Sequence, residues 1–300
     1  MPHEIPQTIE KEKTPFETLL ESLKNDWDYN IKAMAGAGIL ETFTESDTRG
    51  VRGVDGKEYP VPETEEIQRK LEEKREMIEK KLEQGFTELL LVPFGMPLSK
   101  LTLRLKQCIL RKHEEGTLIS TDGTTLELDV TNPLHKYEEW TEDKIYYDIQ
   151  SFNKNNHQGK TKAEILSVPN SAWQILLVEP NLDIPAQDKG QTIGRRKQLE
   201  ANLSAEDYLN LIQNDPQYQN ETSFSPEAIL IQMLQKLQND NVVINDYQGS
   251  GKITRCFNSM FASGRVPSAD WDRGDHRADL NGDNAGDRYP NVGSRSSVRV

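Results

Sequence analysis

The sequence predicts an α+β protein, with an N-terminal, mainly helical region over residues 1–116 and a second region over residues 117–300 that combines two helices with short, irregular antiparallel strands. Three observations carry this. Capping signals precede apolar stripes of helical period in both halves. Thr121-Asp122-Gly123 stands between the apolar pairs Leu118-Ile119 and Leu126/Leu128, the pattern of a hairpin turn. Beyond Asn239 the apolar residues come in short runs broken by glycine, which suits strands and turns better than helices.

Residues 1–13 are charged, contain two prolines and are expected to be loose. Thr14-Pro15-Phe16-Glu17 is a capping box with proline at the first helical position, and Phe16, Leu19, Leu20 and Leu23 then share one face. Residues 44–62, with Gly50, Gly53, Gly56, Pro60 and Pro62, read as loop. A charged helix follows from Glu63 to Gln84, with Ile67, Leu71, Ile78 and Leu82 as a narrow stripe resting on its own domain and Gly85 as its stop. Leu89–Val92 is a short buried strand or turn before Pro93. Ser99 to His113 is a helix with Leu101, Leu105, Cys108 and Ile109 inward. The Asn-rich residues 151–162 connect to a core strand from Trp173 to Val178. Ser204 and Ser225-Pro226 then open two capped helices, reaching Asn214 and Asn239, and Val242–Ile244 begins the short strands.

Composition narrows the class. Three hundred residues are enough to bury a substantial core. The first 252 residues hold 29 basic and 43 acidic side chains, an excess of negative charge that argues against general nucleic-acid or anionic-membrane binding. Two cysteines, Cys108 and Cys256, are too few for a disulfide framework or a zinc site. No apolar run approaches the ~20 residues that span a bilayer, and the N-terminus lacks the form of a signal peptide. The default expectation is a cytoplasmic chain.

The last 48 residues obey a different rule. They contain no Lys, Glu or Gln, although the first 252 hold 21, 29 and 17 of these. Charge has not been avoided, since six Asp and seven Arg remain. Surface chemistry cannot separate Asp from Glu in this way, but the genetic code can. Lys, Glu and Gln need a purine in the third codon position, whereas Asp, Asn, His, Tyr, Ser and Gly can end in a pyrimidine. Between Asp270 and Asn291 the chain is nearly all Asp, Asn, Arg, Gly, His, Tyr and Ala, residues reachable by changing the adenines of an AAC or AAT codon without creating a stop. Trp271 is not reachable in that way and reads as framework.

This pattern, together with Arg265-Val266-Pro267, Asp270-Trp271-Asp272, Arg277-Ala278 and the Gly293-Ser294-Arg295 ending, resembles the variable proteins of diversity-generating retroelements. The resemblance is close over about residues 253–300 and fades upstream. It implies a C-type-lectin-like fold over residues 117–300, related to the formylglycine-generating-enzyme fold. It also implies a gene whose codons are rewritten by an adenine-directed reverse transcriptase, an enzyme that acts on the gene and not on the protein. The implied function is non-catalytic binding of a variable ligand, a protein in the first instance, with no cofactor and no metal. The implied ligand-binding residues are Asp270, Asp272, Arg273, Asp275, His276, Arg277, Asp279, Asn281, Asp283, Asn284, Asp287, Tyr289 and Asn291. Trp271, Leu280, Val292 and Val298 are the expected apolar anchors, with Ser297–Val300 as the final strand.

Two readings from other classes stand beside this one. A formylglycine-generating-type enzyme would need a cysteine pair, and Cys256 has no partner at matching spacing. A calcium-stabilised structural domain is suggested by Asp279, Asn281, Asp283 and Asp287 at positions 1, 3, 5 and 9 of a loop, but position 6 is Asn284 and position 12 is Pro290. His276 between Asp275 and Arg277 lacks a nucleophile and reads as solvent-facing. Gly249-Ser250-Gly251-Lys252 reads as a turn, and Gly194-Arg195-Arg196-Lys197 as a solvated basic face.

Overall fold

The computed structural model describes residues 13–249 and 251–300, so all but the last residue of the loose segment expected over residues 1–13, and Ser250 of the glycine-rich turn, lie outside the described residues. Helix α1 (Pro15–Gly36) starts as its sequence requires. Thr14 accepts from the Glu17 backbone N–H while the Glu17 carboxylate accepts from the Thr14 N–H, and Pro15 occupies the first turn. Residues 44–62, expected as loop, lie largely within a three-stranded meander of β1 (Glu41–Thr42), β2 (Arg49–Arg52) and β3 (Glu58–Pro60). Glycine serves the pairing here: a Cβ on Gly50 would lie 2.2 Å from the Tyr59 carbonyl oxygen, so only glycine lets β3 come this close. The single charged helix expected from Glu63 to Gln84 is two, α2 (Thr64–Glu73) and α3 (Arg75–Glu83), parted at Lys74, whose φ of −111° leaves the helical range. Their stripe of Ile67, Leu71, Ile78 and Leu82 is buried in the same core as Phe16 and Leu19 of α1.

Strand β4 (Glu88–Val92) and helix α4 (Leu98–Glu114) fall where the apolar pattern places them. The Thr121-Asp122-Gly123 turn forms, with Gly123 N–H donating to the Ser120 carbonyl and Leu126 N–H to that of Leu118. Its first arm, β5 (Ile119–Ser120), then pairs in parallel with β12 (Val242–Val243), and residues 126–128 form no strand of their own. Then come β6 (Leu134–Lys136), β7 (Ile145–Tyr147), the short helix α5 (Lys162–Leu166), β8 (Gln174–Val178) and a small hairpin, β9 (Thr192–Ile193) with β10 (Arg196–Lys197). Ser204 and Ser225 cap α6 (Ala205–Asn214) and α7 (Pro226–Gln235), the latter continuing into a π-helical turn, Lys236–Asp240. Strand β11 (Glu221–Ser223) lies between them. After β13 (Asp246–Tyr247) the remaining strands are β14 (Ile253–Arg255), β15 (Ser259–Phe261), β16 (Val266–Asp272), β17 (Arg277–Asp283), β18 (Val292–Ser294) and β19 (Ser296–Arg299). The final strand thus begins and ends one residue earlier than expected.

Two sheets organise the molecule. One has the order β11-β19-β8-β4, all neighbours antiparallel. The other runs β18-β14-β16-β17-β6, with β13 also paired to β16. The division expected at residue 116/117 passes through a shared core. β4 pairs with β8 along all five of its residues, and one continuous apolar cluster runs from Phe16 to Val298. Trp271, Leu280, Val292 and Val298 are buried, as expected of anchors. The basic segment 194–197 is not a solvated face, because Arg196 is buried. Its guanidinium donates to both oxygens of Glu221 at 2.8 and 2.9 Å and lies over the Phe86 ring. Lys81 of α3 adds a third contact to Glu221 at 2.7 Å, so the N-terminal helices are bolted to β10 and β11 by a buried ion cluster. No helix among the described residues is long and apolar enough to cross a membrane.

Candidate ligand-binding face

Strands β16 and β17 pair over seven residues, from Val266↔Asp283 to Asp272↔Arg277. Side chains alternate across a strand, so this register sorts the hairpin into two faces. Ala269, Trp271, Ala278 and Leu280 point inward and are buried, with Trp271 and Ala278 facing Leu105, Ile109 and Met233. The other face carries Asp272 beside Arg277, Asp270 opposite Asp279, and Ser268 opposite Asn281. β14 adds Arg255 next to Ser268 and β6 adds His135 next to Asp279. Six of the thirteen expected residues (Asp270, Asp272, Arg277, Asp279, Asn281 and Asp283) therefore share one polar sheet face.

The carboxylates on this face are unequally served. Arg277 donates from Nε to Asp279 at 2.8 Å and from Nη2 to Asp275 at 2.5 Å. Oxygens of Asp272, Asp275 and Asp279 lie within 4.8 Å of one another, and the Arg277 guanidinium already supplies positive charge to two of them. Asp272 closes the turn, its Oδ1 accepting from the N–H groups of Gly274 and Asp275. Asp270 is the exception. It is 2% exposed, and its Oδ1 has no hydrogen-bond partner among the described residues. Burial, followed by the charges of Asp279, Asp272 and Asp283, pushes its carboxyl well above the usual carboxylate range.

The rest of the expected set divides between display and structure. Asp275, Asn284 and Tyr289 are exposed, and His276, Asp287 and Asn291 are partly so. His276 sits at φ 53° in the turn, 3.5 Å from Glu127. The loop after β17 is held by Asn284 donating to Asp287 and Tyr289 to the same carboxylate. Arg273, expected on the binding surface, turns back instead. Its guanidinium bonds both oxygens of Asp246, which is fully buried, and also Asp122 at 2.8 Å. Asp279, 7% exposed, and Asp270 are likewise not displayed side chains.

One residue outside the expected set organises this face. Arg255 of β14 is fully buried. It donates to Asp283 at 2.8 Å and to the Asp287 carbonyl at 2.7 Å, with its guanidinium 5.8 Å from the Tyr289 ring centre. It lies fifteen residues before Asp270, the first of the expected residues, and only strand pairing brings it there. A wish for a calcium loop at Asp279–Asp287 meets a geometric obstacle. Asp279, Asn281 and Asp283 lie along an extended strand, where alternate residues are ~6.6 Å apart, whereas ligands of one calcium ion sit ~2.4 Å from it. Cys256 and Cys108 are both buried and free, and burial raises both thiols, the state of an unreactive cysteine. The chain matches no protein-family model, no curated protein and no solved structure.

Proposed function

We propose that this is a non-catalytic binding protein whose C-terminal half, C-type-lectin-like in fold, carries a ligand-binding face diversified by adenine-directed retroelement mutagenesis. The observation that carries the reading is the sorting of the β16–β17 hairpin. The residue types reachable from adenine–pyrimidine codons gather on the outer face and in the turn and loop, while the unreachable Trp271 anchors the inner face. A scaffold that must survive rewriting needs most variable positions kept apart from load-carrying ones, and Arg273, which holds the buried Asp246, is the exception. The order of elements, two capped helices followed by short strands, is the order the resemblance implies. The side chains this copy displays are acidic in balance, with Asp272, Asp275 and Asp283 against Arg277, which favours a protein ligand whose surface bears basic side chains.

The locus tests this. The codons of the thirteen positions should end in C or T, and a near-copy of the segment, beside a reverse-transcriptase gene, should carry adenines where the two copies differ. A locus without a second copy, or copies differing at bases other than adenine, would leave a fixed binding domain and overturn the diversification.

A further inference from the structure

A cavity of about 300 Å³ opens between α1, β4 and the C-terminal end of α7, and none of its lining residues belongs to the diversified segment. Asp26 and Tyr29 of α1, Glu88 of β4, and Gln235, Lys236 and Asp240 from α7 and its π-helical turn converge on it. The walls are firmly held. Asn30, one turn after Asp26, is buried and donates to the Leu89 carbonyl at 2.9 Å while accepting from the Leu91 N–H at 2.8 Å. That pair of bonds fixes α1 against β4 and sets Asp26 beside Glu88. A π-helical turn in the wall is a costly irregularity that tends to accompany binding sites.

The charge in this cavity is not balanced by the protein. Lys236 sits 3.4 Å from Asp240 and 5.3 Å over the Tyr29 ring, and the Tyr29 hydroxyl donates to Asp240 at 2.6 Å. Asp240 is thereby served twice. The Glu88 side chain has no hydrogen bond or ion pair among the described residues, and Asp26 accepts only from the Ser22 hydroxyl at 3.4 Å and the Leu89 backbone. Two half-buried carboxyls thus face a common space whose one lining cation, Lys236, attracts Glu88 but is paired with Asp240, which leaves the cavity with an excess of negative charge.

We propose that this cavity binds a small organic cation, an amine or diamine whose ammonium group lies between Asp26 and Glu88. An ammonium offers three donors to the two carboxylates, which makes charge-assisted hydrogen bonds. Leu89, Leu90 and Val178 supply apolar wall for a methylene chain. The space is roughly ten times the ~30 Å³ share of one water molecule, more than a bare metal ion needs. With the cavity empty, burial and then the charge of Glu88 push the Asp26 carboxyl up to about 6, and burial raises Glu88 as well. The groups facing Asp26 are Glu88, Asp240, Lys236 and Tyr29. An arriving ammonium displaces the Asp26 proton, so affinity rises with pH through about 6.

Calorimetry on the full chain tests this with 1,4-diaminobutane and agmatine as probes, 1,4-butanediol as the uncharged control, and calcium and magnesium chloride as inorganic competitors. The expected result near neutral pH is saturable amine binding with proton release. That binding should weaken about tenfold or more around pH 5, and by a similar factor in Asp26→Asn and in Glu88→Gln. Asp26→Asn removes a like-charge repulsion and Glu88→Gln relieves the burial of a charge while losing the attraction of Lys236, so both variants should melt close to the wild type, which separates lost binding from lost folding. The proposal is overturned if the folded wild type binds no amine. Equal binding of the diol, amine binding indifferent to pH and to both substitutions, or displacement of the amine by the metal ions would overturn it too. None of these outcomes bears on the hairpin face, so this site and the proposed function stand or fall separately.

Discussion

On the outer face of β16, Asp270 lies opposite Asp279, and burial with like charge raises its carboxyl. A raised carboxyl binds its proton more tightly in the folded than in the unfolded chain. Its stabilising effect is therefore complete below the unfolded value of about 3.9 and is lost as pH rises through the higher folded value. Asp270→Asn keeps the shape, removes the charge and can donate to Asp279. It should stabilise the fold near neutral pH by on the order of 1 kcal/mol, seen as a higher melting temperature, and the gain should vanish below about pH 4. A gain that persists in acid would assign it to something other than titration. The thirteen expected positions should also differ sharply from one another. Arg273→Ala strands the buried Asp246 carboxylate and should cost about 2–4 kcal/mol. Asp275→Ser and Asn284→Ser, on exposed residues, should stay within about 0.5 kcal/mol each, as chemical denaturation can measure. The sequence marked these residues by their residue type, which says where the proposed rewriting would fall but not which side chain faces solvent. Alternation along β16 and β17 decides that, and Arg255 was missed because its place in the site comes from strand pairing with Ser268 and an ion pair with Asp283, 28 residues on.

Among the elements, β19 is an interior strand of its sheet, lying between β11 and β8. Removing residues 292–300 takes away β18 and β19 and leaves both partners of the second without hydrogen bonds on that side. The truncated chain should lose its cooperative melt by circular dichroism, and a transition unchanged in midpoint and sharpness would show the strand to be an accessory. Inside the hairpin, Trp271→Ala should cost roughly 3–5 kcal/mol, since the ring is 1% exposed. The helices were legible before the structure because Thr14, Ser204 and Ser225 cap them through bonds made to the next few residues. β1–β3 were not, since Phe43, Val51 and Tyr59 alternate too sparsely among glycines to announce strands. The parallel pairing of β5 with β12 joins residues more than a hundred apart, and no local pattern encodes it.

At the scale of the whole molecule the N-terminal region is part of the framework. β4 covers one edge of β8, α1 and α4 share the apolar cluster with α7, and Lys81 reaches Glu221 in a buried pair. Expressed alone, residues 117–300 should expose the β8 edge and the apolar side of α7 and leave Glu221 without Lys81. The fragment should bind a hydrophobic dye and lack dispersed amide resonances. A well-dispersed, dye-free fragment would mean that the two regions fold separately despite the shared core.

The position of β19 has a further meaning in time. Its residues follow the whole diversified stretch in reading order, yet they complete the middle of the sheet that receives β4. A rewriting event that slipped the reading frame anywhere between 253 and 291 would garble β19 along with the hairpin, and the products would reach the cell's proteases as unfinished chains. If the gene is rewritten as proposed, substitutions pass and slips erase themselves, and the placement of one strand would act as a proofreader for the copying.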